Sequence, residues 1–157
     1  MGLTLPVFFD VVLHIGSLLV VLIVLRNPLF KVLNALVHID FRSDWGKMAV
    51  YIIVGNIATA VIGVVFRDLF ESFFNNLLAV GVAFLITGIF LFVSERPRNH
   101  IKPLNALNAL LIGIAQGFAL IPGISRSGLT ISTGLLRNID RQKAFTFSFL
   151  LFIPAVL

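Results

Sequence analysis

Ser125, Arg126, Ser127 and Thr130 combine one fixed cation with three hydroxyls, and glycines flank the group at Gly123 and Gly128. Arginine stays charged in almost any surroundings, and its planar fork donates two parallel hydrogen bonds to one oxyanion. Glycines let the backbone turn tightly and present N–H groups toward an anion. A helix opening at Leu129 would add the partial positive charge of its first turn. This set suits a phosphate. Ser125, Ser127 and Thr130 can donate to its oxygens, and any one could attack as a nucleophile if a base lay nearby. The plainer alternative makes the hydroxyls helix-packing groups and lets Arg126 snorkel or pair with a carbonyl. The surroundings favour the anion, because a charge at membrane depth is costly and marks a functional site by default.

Other polar residues are more ambiguous. Asp10 and His14 share one helical face, either as an acid–base or metal-linked pair that faces the cavity and supports the site or as a mutually satisfied pair near a helix end. The second is the simpler account. Gln116, between Gly113 and Gly117, either reaches the anion or forms an interhelical hydrogen bond beside a small-xxx-small seam. His38 and His100 have no partners at metal-ligand spacing, and no metal site is assigned within the chain.

The elements that must position these groups are helices in lipid. The chain has 157 residues, 59% hydrophobic and 12% charged, with a mean hydropathy of +1.05. Soluble chains run at about 25% charged. Spans are expected at about 6–25, 47–66 and 73–93, with a short interfacial helix at 29–39 and a turn at 67–72. Residues 144–157 begin a further span that stops within an apolar run, so the chain is expected to be incomplete at that end and open to question at the other. The absence of cysteine excludes disulfides and thiol chemistry. A net charge of +5 without any basic–aromatic patch speaks for loop topology and against a nucleic-acid partner.

Loop charge orients the spans. Arg26, Lys31 and Arg42, then Arg96, Arg98 and Lys102, then Arg137, Arg141 and Lys143 put three connections on the cytoplasmic side; the stretch 67–72 carries Arg67 against Asp68 and Glu71 and faces out. Residues 104–136 therefore leave and return on one side. Pro122-Gly123 breaks this stretch, which makes it a re-entrant helix-loop-helix hairpin with Arg126 near its tip. The fold class is all-α, polytopic and transmembrane, a single domain over 1–157.

The run Ala115-Gln116-Gly117-Phe118-Ala119-Leu120-Ile121-Pro122-Gly123-Ile124-Ser125-Arg126-Ser127-Gly128-Leu129-Thr130 resembles the second signature of the undecaprenyl-diphosphate phosphatases of the bacitracin-resistance type. The segment Phe9-Asp10-Val11-Val12-Leu13-His14-Ile15-Gly16 is similar to the helix after that family's first re-entrant segment. The run Ala144-Phe145-Thr146-Phe147-Ser148-Phe149 is similar to the helix after its second. The resemblance implies an inverted-repeat enzyme of the cell membrane, a phosphoric anhydride hydrolase. Such an enzyme converts a polyprenyl diphosphate to the monophosphate plus phosphate. It recycles the lipid carrier for peptidoglycan and cell-wall synthesis, supports cell shape and confers bacitracin resistance. It further implies that Arg126 holds the diphosphate, with Ser125, Ser127 and Thr130 completing a catalytic cradle and Gly123, Gly128 and Gln116 binding substrate.

The family's first signature, an E-G-x-T-E segment followed by P-V-S-S-T-G-H, has no counterpart in this sequence. The family implies a divalent cation, Mg²⁺ or Ca²⁺, whose carboxylates belong to that segment. The chain is thus expected to hold the substrate without the full catalytic set. A transporter or flippase for a phosphate-bearing lipid or anion is the alternative, since broken helices at the midplane also serve transport. A homologue that binds the lipid without chemistry is a third. Phosphate release from a polyprenyl diphosphate separates the three.

Overall fold

The apolar runs form helices, and most begin where a side chain can take up the orphan N–H groups of a first turn. The computed structural model describes residues 7–74, 76–95 and 100–156, with side chains for all of these except 7–11 and 14. Among them are eight helices and no strand: α1 (Val7–Val24), α2 (Arg26–Val37), α3 (Asp44–Val65), α4 (Arg67–Phe73), α5 (Leu77–Ser94), α6 (Ala106–Phe118), α7 (Arg126–Leu136) and α8 (Arg141–Val156).

The caps explain where the boundaries depart from those expected. Ser43 accepts a hydrogen bond from the Gly46 N–H, so α3 starts at Asp44 rather than Lys47. Asn76 accepts from the Leu78 and Ala79 N–H groups and delays α5 to Leu77. Asp140 accepts from the Lys143 N–H through its carboxylate and from the Ala144 N–H through its carbonyl. Arg141 and Lys143, expected in a loop, therefore lie in the first turn of α8. The expected turn at 67–72 is the short helix α4, with Asp68 in its first turn and an Arg67–Glu71 pair at 2.9 Å along it. Helix α2 begins at Arg26 because Pro28 sits in the first turn, where its missing N–H costs nothing.

Helices α3 and α5 are long and apolar enough to cross a membrane, and α1 with α2, bent by 82°, would make a third span if counted as one. Val64, Phe84, Leu85 and Phe92 stay exposed on their outer faces, as contact with acyl chains requires. This is a membrane protein. Helices α6 and α7, of 13 and 11 residues, reach only about 20 and 16 Å at 1.5 Å per residue, too short for a bilayer core. Their outer ends meet: the Lys102 N–H donates to the Asn138 carbonyl at 2.8 Å, and Lys102 bridges Ile139. Arg137 Nε donates to Asn108 Oδ1 at 3.0 Å across the same base, and Arg141 pairs with Glu95 at 2.6 Å. Residues 104–136 thus leave and return at one place.

That hairpin is the centre of the molecule. Ala109, Ile112, Leu135, Ile139, Ala144, Phe147 and Leu151 form one buried cluster that joins α6, α7 and α8, with Met48, Tyr51 and Ile52 of α3 against it. A second cluster ties α1 and α2 to α3 and α8 through Val21, Leu25, Val32, Ala49, Leu150 and Ile153. Helix α6 meets α3 glycine to glycine: a Cβ on Gly113 would lie 2.2 Å from the Gly55 carbonyl oxygen. Small residues let two backbones approach this closely, which is how apolar helices associate when lipid removes the hydrophobic drive.

Candidate phosphate-binding site

Helix α7 begins inside the group of hydroxyls, one turn earlier than Leu129. Ser125 is its N-cap, and its Oγ accepts from the Gly128 N–H at 3.2 Å. The Ser125 N–H donates to Thr87 Oγ1 of α5 at 3.2 Å, which pins the hairpin tip to that helix. Gly123 has φ +92°, and a Cβ there would lie 2.5 Å from the Val80 carbonyl oxygen. Both facts demand glycine, and they give Gly123 a turn-making and packing part beside the site. Gly128 is close-packed against Ser125 and Thr87, and its N–H is already taken. The first-turn N–H groups left without a helical acceptor are those of Arg126 and Ser127. Ser125 and Ser127 are exposed, on the open side of the tip.

Arg126 is half-buried and held on two sides. Its Nε donates to Gln116 Oε1 at 3.1 Å, and its guanidinium carbon lies 4.6 Å from the centroid of the Phe152 ring in α8. Gln116, buried in α6, donates in turn from Nε2 to Thr59 Oγ1 of α3 at 3.0 Å. Gln116 therefore does both things the sequence left open: it meets the arginine and it joins two helices. The terminal amino groups of Arg126 make no hydrogen bond among the described residues. They are the groups that can take an anion bidentately.

Thr130, expected in the cradle, is placed elsewhere. It is 1% exposed, its hydroxyl donates to the Arg126 carbonyl at 2.8 Å, and it shares a 2.5 Å hydrogen bond with Ser148 of α8. The helix turns this position inward, onto α8, whereas Arg126 and Ser127 sit at the open end. Thr130→Val is accordingly expected to lower stability in detergent by about 1 kcal/mol, read as a lower melting temperature. Phosphate affinity should stay within about threefold of the parent chain.

The side chains of Asp10 and His14 lie outside those described, as do residues Arg96 and Arg98. His38 bonds the Asn34 carbonyl at 2.9 Å, within its own turn. Among the described residues no three of His, Asp or Glu come together. The donors around Arg126, a guanidinium, hydroxyls and N–H groups, suit an anion and offer no set of anionic oxygens for a hard cation.

Residues 3–157 match the family model described as bacitracin resistance protein BacA. The chain belongs to the BacA family. A protein of Carboxydothermus hydrogenoformans named undecaprenyl-diphosphatase is 40% identical over 152 residues, covering 95% of this chain and 55% of the relative. One of Halothermothrix orenii with the same name is 40% identical over 150 residues, 94% of this chain and 56% of its own length. A Bacillus thuringiensis protein named undecaprenyl-diphosphatase 4 is 37% identical over 153 residues, again covering 56% of its length. The chain spans a little over half the length of these relatives. All three are named for a hydrolase, and the transport alternative finds no support.

In this BacA-family chain the sequence located the arginine but missed that Ser125 caps its helix and which groups hold both from other helices. Thr59 and Thr87 are polar residues within apolar spans, and nothing local marks Ser148 or Phe152. The usable signal was hydroxyls on faces otherwise apolar, since such groups must find partners in the protein when no water is near.

Proposed function

We propose that this chain forms the phosphate-holding part of an undecaprenyl diphosphatase of the bacterial cell membrane. The observation that carries this reading is the state of Arg126. Its Nε and its face are engaged, and its two outer amino groups are uncommitted beside the N–H groups of Arg126 and Ser127. A terminal phosphate of a polyprenyl diphosphate fits there, with the guanidinium fork on two oxygens, the first turn of α7 and the Ser127 hydroxyl on the others, and the isoprenoid chain in lipid. The reaction would split the P–O–P bridge with water, giving the lipid monophosphate and inorganic phosphate and returning the carrier to cell-wall synthesis. The chain's own residues bind the charge and orient the diphosphate. A Ser125 or Ser127 hydroxyl would need a base to attack, and no such base stands beside them among the described residues. A divalent cation, Mg²⁺ or Ca²⁺, belongs to the proposal through the family resemblance alone. The donors around Arg126 do not fit one.

Two measurements test this. The purified chain in detergent should bind a polyprenyl diphosphate more tightly than the monophosphate. A chimera with residues 3–157 in place of the matching segment of the Carboxydothermus hydrogenoformans relative should release phosphate from that lipid. Absence of both overturns the proposal. Release by the 157 residues alone would sink the narrower claim that they hold phosphate without completing the chemistry.

A further inference from the structure

Thr59 lies on α3, outside the hairpin in sequence, yet its hydroxyl has three hydrogen-bond partners and two of them belong to α6. Oγ1 is 2.9 Å from the Gly113 carbonyl oxygen and 3.0 Å from the Gly55 carbonyl oxygen, and it receives the Gln116 Nε2 donor at 3.0 Å. A hydroxyl has one proton. The two carbonyls can only accept, so that proton is committed to them, and toward Gln116 the oxygen can only accept. The Gln116 amide must then point its NH₂ at Thr59 and its oxygen at Arg126 Nε, which can only donate. Every orientation along Gly113, Thr59, Gln116 and Arg126 is fixed by the one before it, starting from a main-chain carbonyl.

We infer that Thr59 is a positioning residue for Arg126: through the Gln116 amide it sets the plane of the guanidinium and leaves both outer amino groups turned toward the ligand. Phe152 completes the hold by closing one face of the same group. Thr59 touches no substrate. Its effect is on how much of the arginine's freedom is spent before the phosphate arrives, since preorganised donors lose less on binding. The inference rests on the reading that Arg126 holds phosphate, but the orientation of Arg126 can be observed without any ligand.

The test uses the 157-residue chain in detergent, with ¹⁵N resonances of the Arg side chains and the affinity for a polyprenyl diphosphate as readouts. In the parent, the Arg126 Nε–H should be sharp and slow to exchange. Thr59→Val keeps the shape and removes the acceptor. It should broaden or lose that signal and weaken diphosphate binding about tenfold. Thr59→Ser should restore both, because it keeps the hydroxyl. Phe152→Leu should weaken binding several-fold with the Nε–H signal retained. An unchanged Nε–H signal in folded Thr59→Val overturns the inference, as does unchanged affinity. A parent that shows the protected Nε–H, and its loss in Thr59→Val, but binds no diphosphate would instead count against the proposed function and leave the orientation chain standing.

Discussion

Arg126→Ala is expected to weaken binding of a polyprenyl diphosphate by about 10²-fold, and Arg126→Lys by about 10-fold, with little change in melting temperature for Lys. Hydrogen bonds to a charged group are worth about 1.5–3 kcal/mol each, so losing a bidentate pair accounts for the larger figure. Lysine keeps the charge but not the geometry. Its ammonium is a point donor with no Nε to meet Gln116 and no plane to lie on Phe152. The order Arg above Lys above Ala is the signature of a fork. Equal binding by Lys and Arg would mean that only the charge matters, and the alternative in which Arg126 merely snorkels would then regain ground. Titration of each variant with the diphosphate and with the monophosphate makes the comparison, since only the former offers a second phosphate to the same donors.

The second large effect is structural. Gly113→Val is expected to destabilise the chain by at least about 3 kcal/mol, or to prevent folding, because a Cβ at this position would meet the oxygen, Cα and carbonyl carbon of Gly55 at 2.2–2.7 Å. No rotamer relieves a clash with backbone; α3 and α6 would have to separate. Gly117→Ala serves as a graded comparison, since the Cβ there would meet the Ile62 side chain at 2.7 Å, and a side chain can move. It should cost less, about 1–2 kcal/mol. Thermal melts in detergent rank the two. If Gly113→Val melted as the parent does, α6 would not lie on α3 as described. Thr59 and Gln116 then could not meet, and the orientation of Arg126 would lose its origin.

Much of the fold was legible because lipid narrows the choices. An apolar run long enough to cross must be a helix, and loop charges then order the runs, so the hairpin at 104–136 followed from arithmetic on lysines and arginines. Its closed base at Lys102 and Ile139 agrees with that expectation. What sequence could not supply was the facing of individual side chains. Thr130 sits one helical turn from Arg126 and would share its side on a bare helix, yet packing on Ser148 makes it a buried contact. Phe152 is one of sixteen phenylalanines, and nothing local marks it as the one beneath a guanidinium. The caps Ser43, Asn76 and Ser125 need only their own turn, so they could have been read from sequence; overlooking them misplaced the starts of α3, α5 and α7. Positions that depend on a partner some sixty residues away, as Gln116 does on Thr59, are set by tertiary packing alone.

The closed base of the hairpin has one more consequence. Because Lys102 lies directly beside Ile139, the hairpin begins and ends at one place, and the chain goes on into α8 from beside the point where it left. The hairpin is therefore a detour that adds depth without adding reach. Residues at its open tip can change while the base stays closed and α6 and α7 stay packed on α3 and α8. A site carried on such a detour can be retuned for a different headgroup without re-threading the membrane.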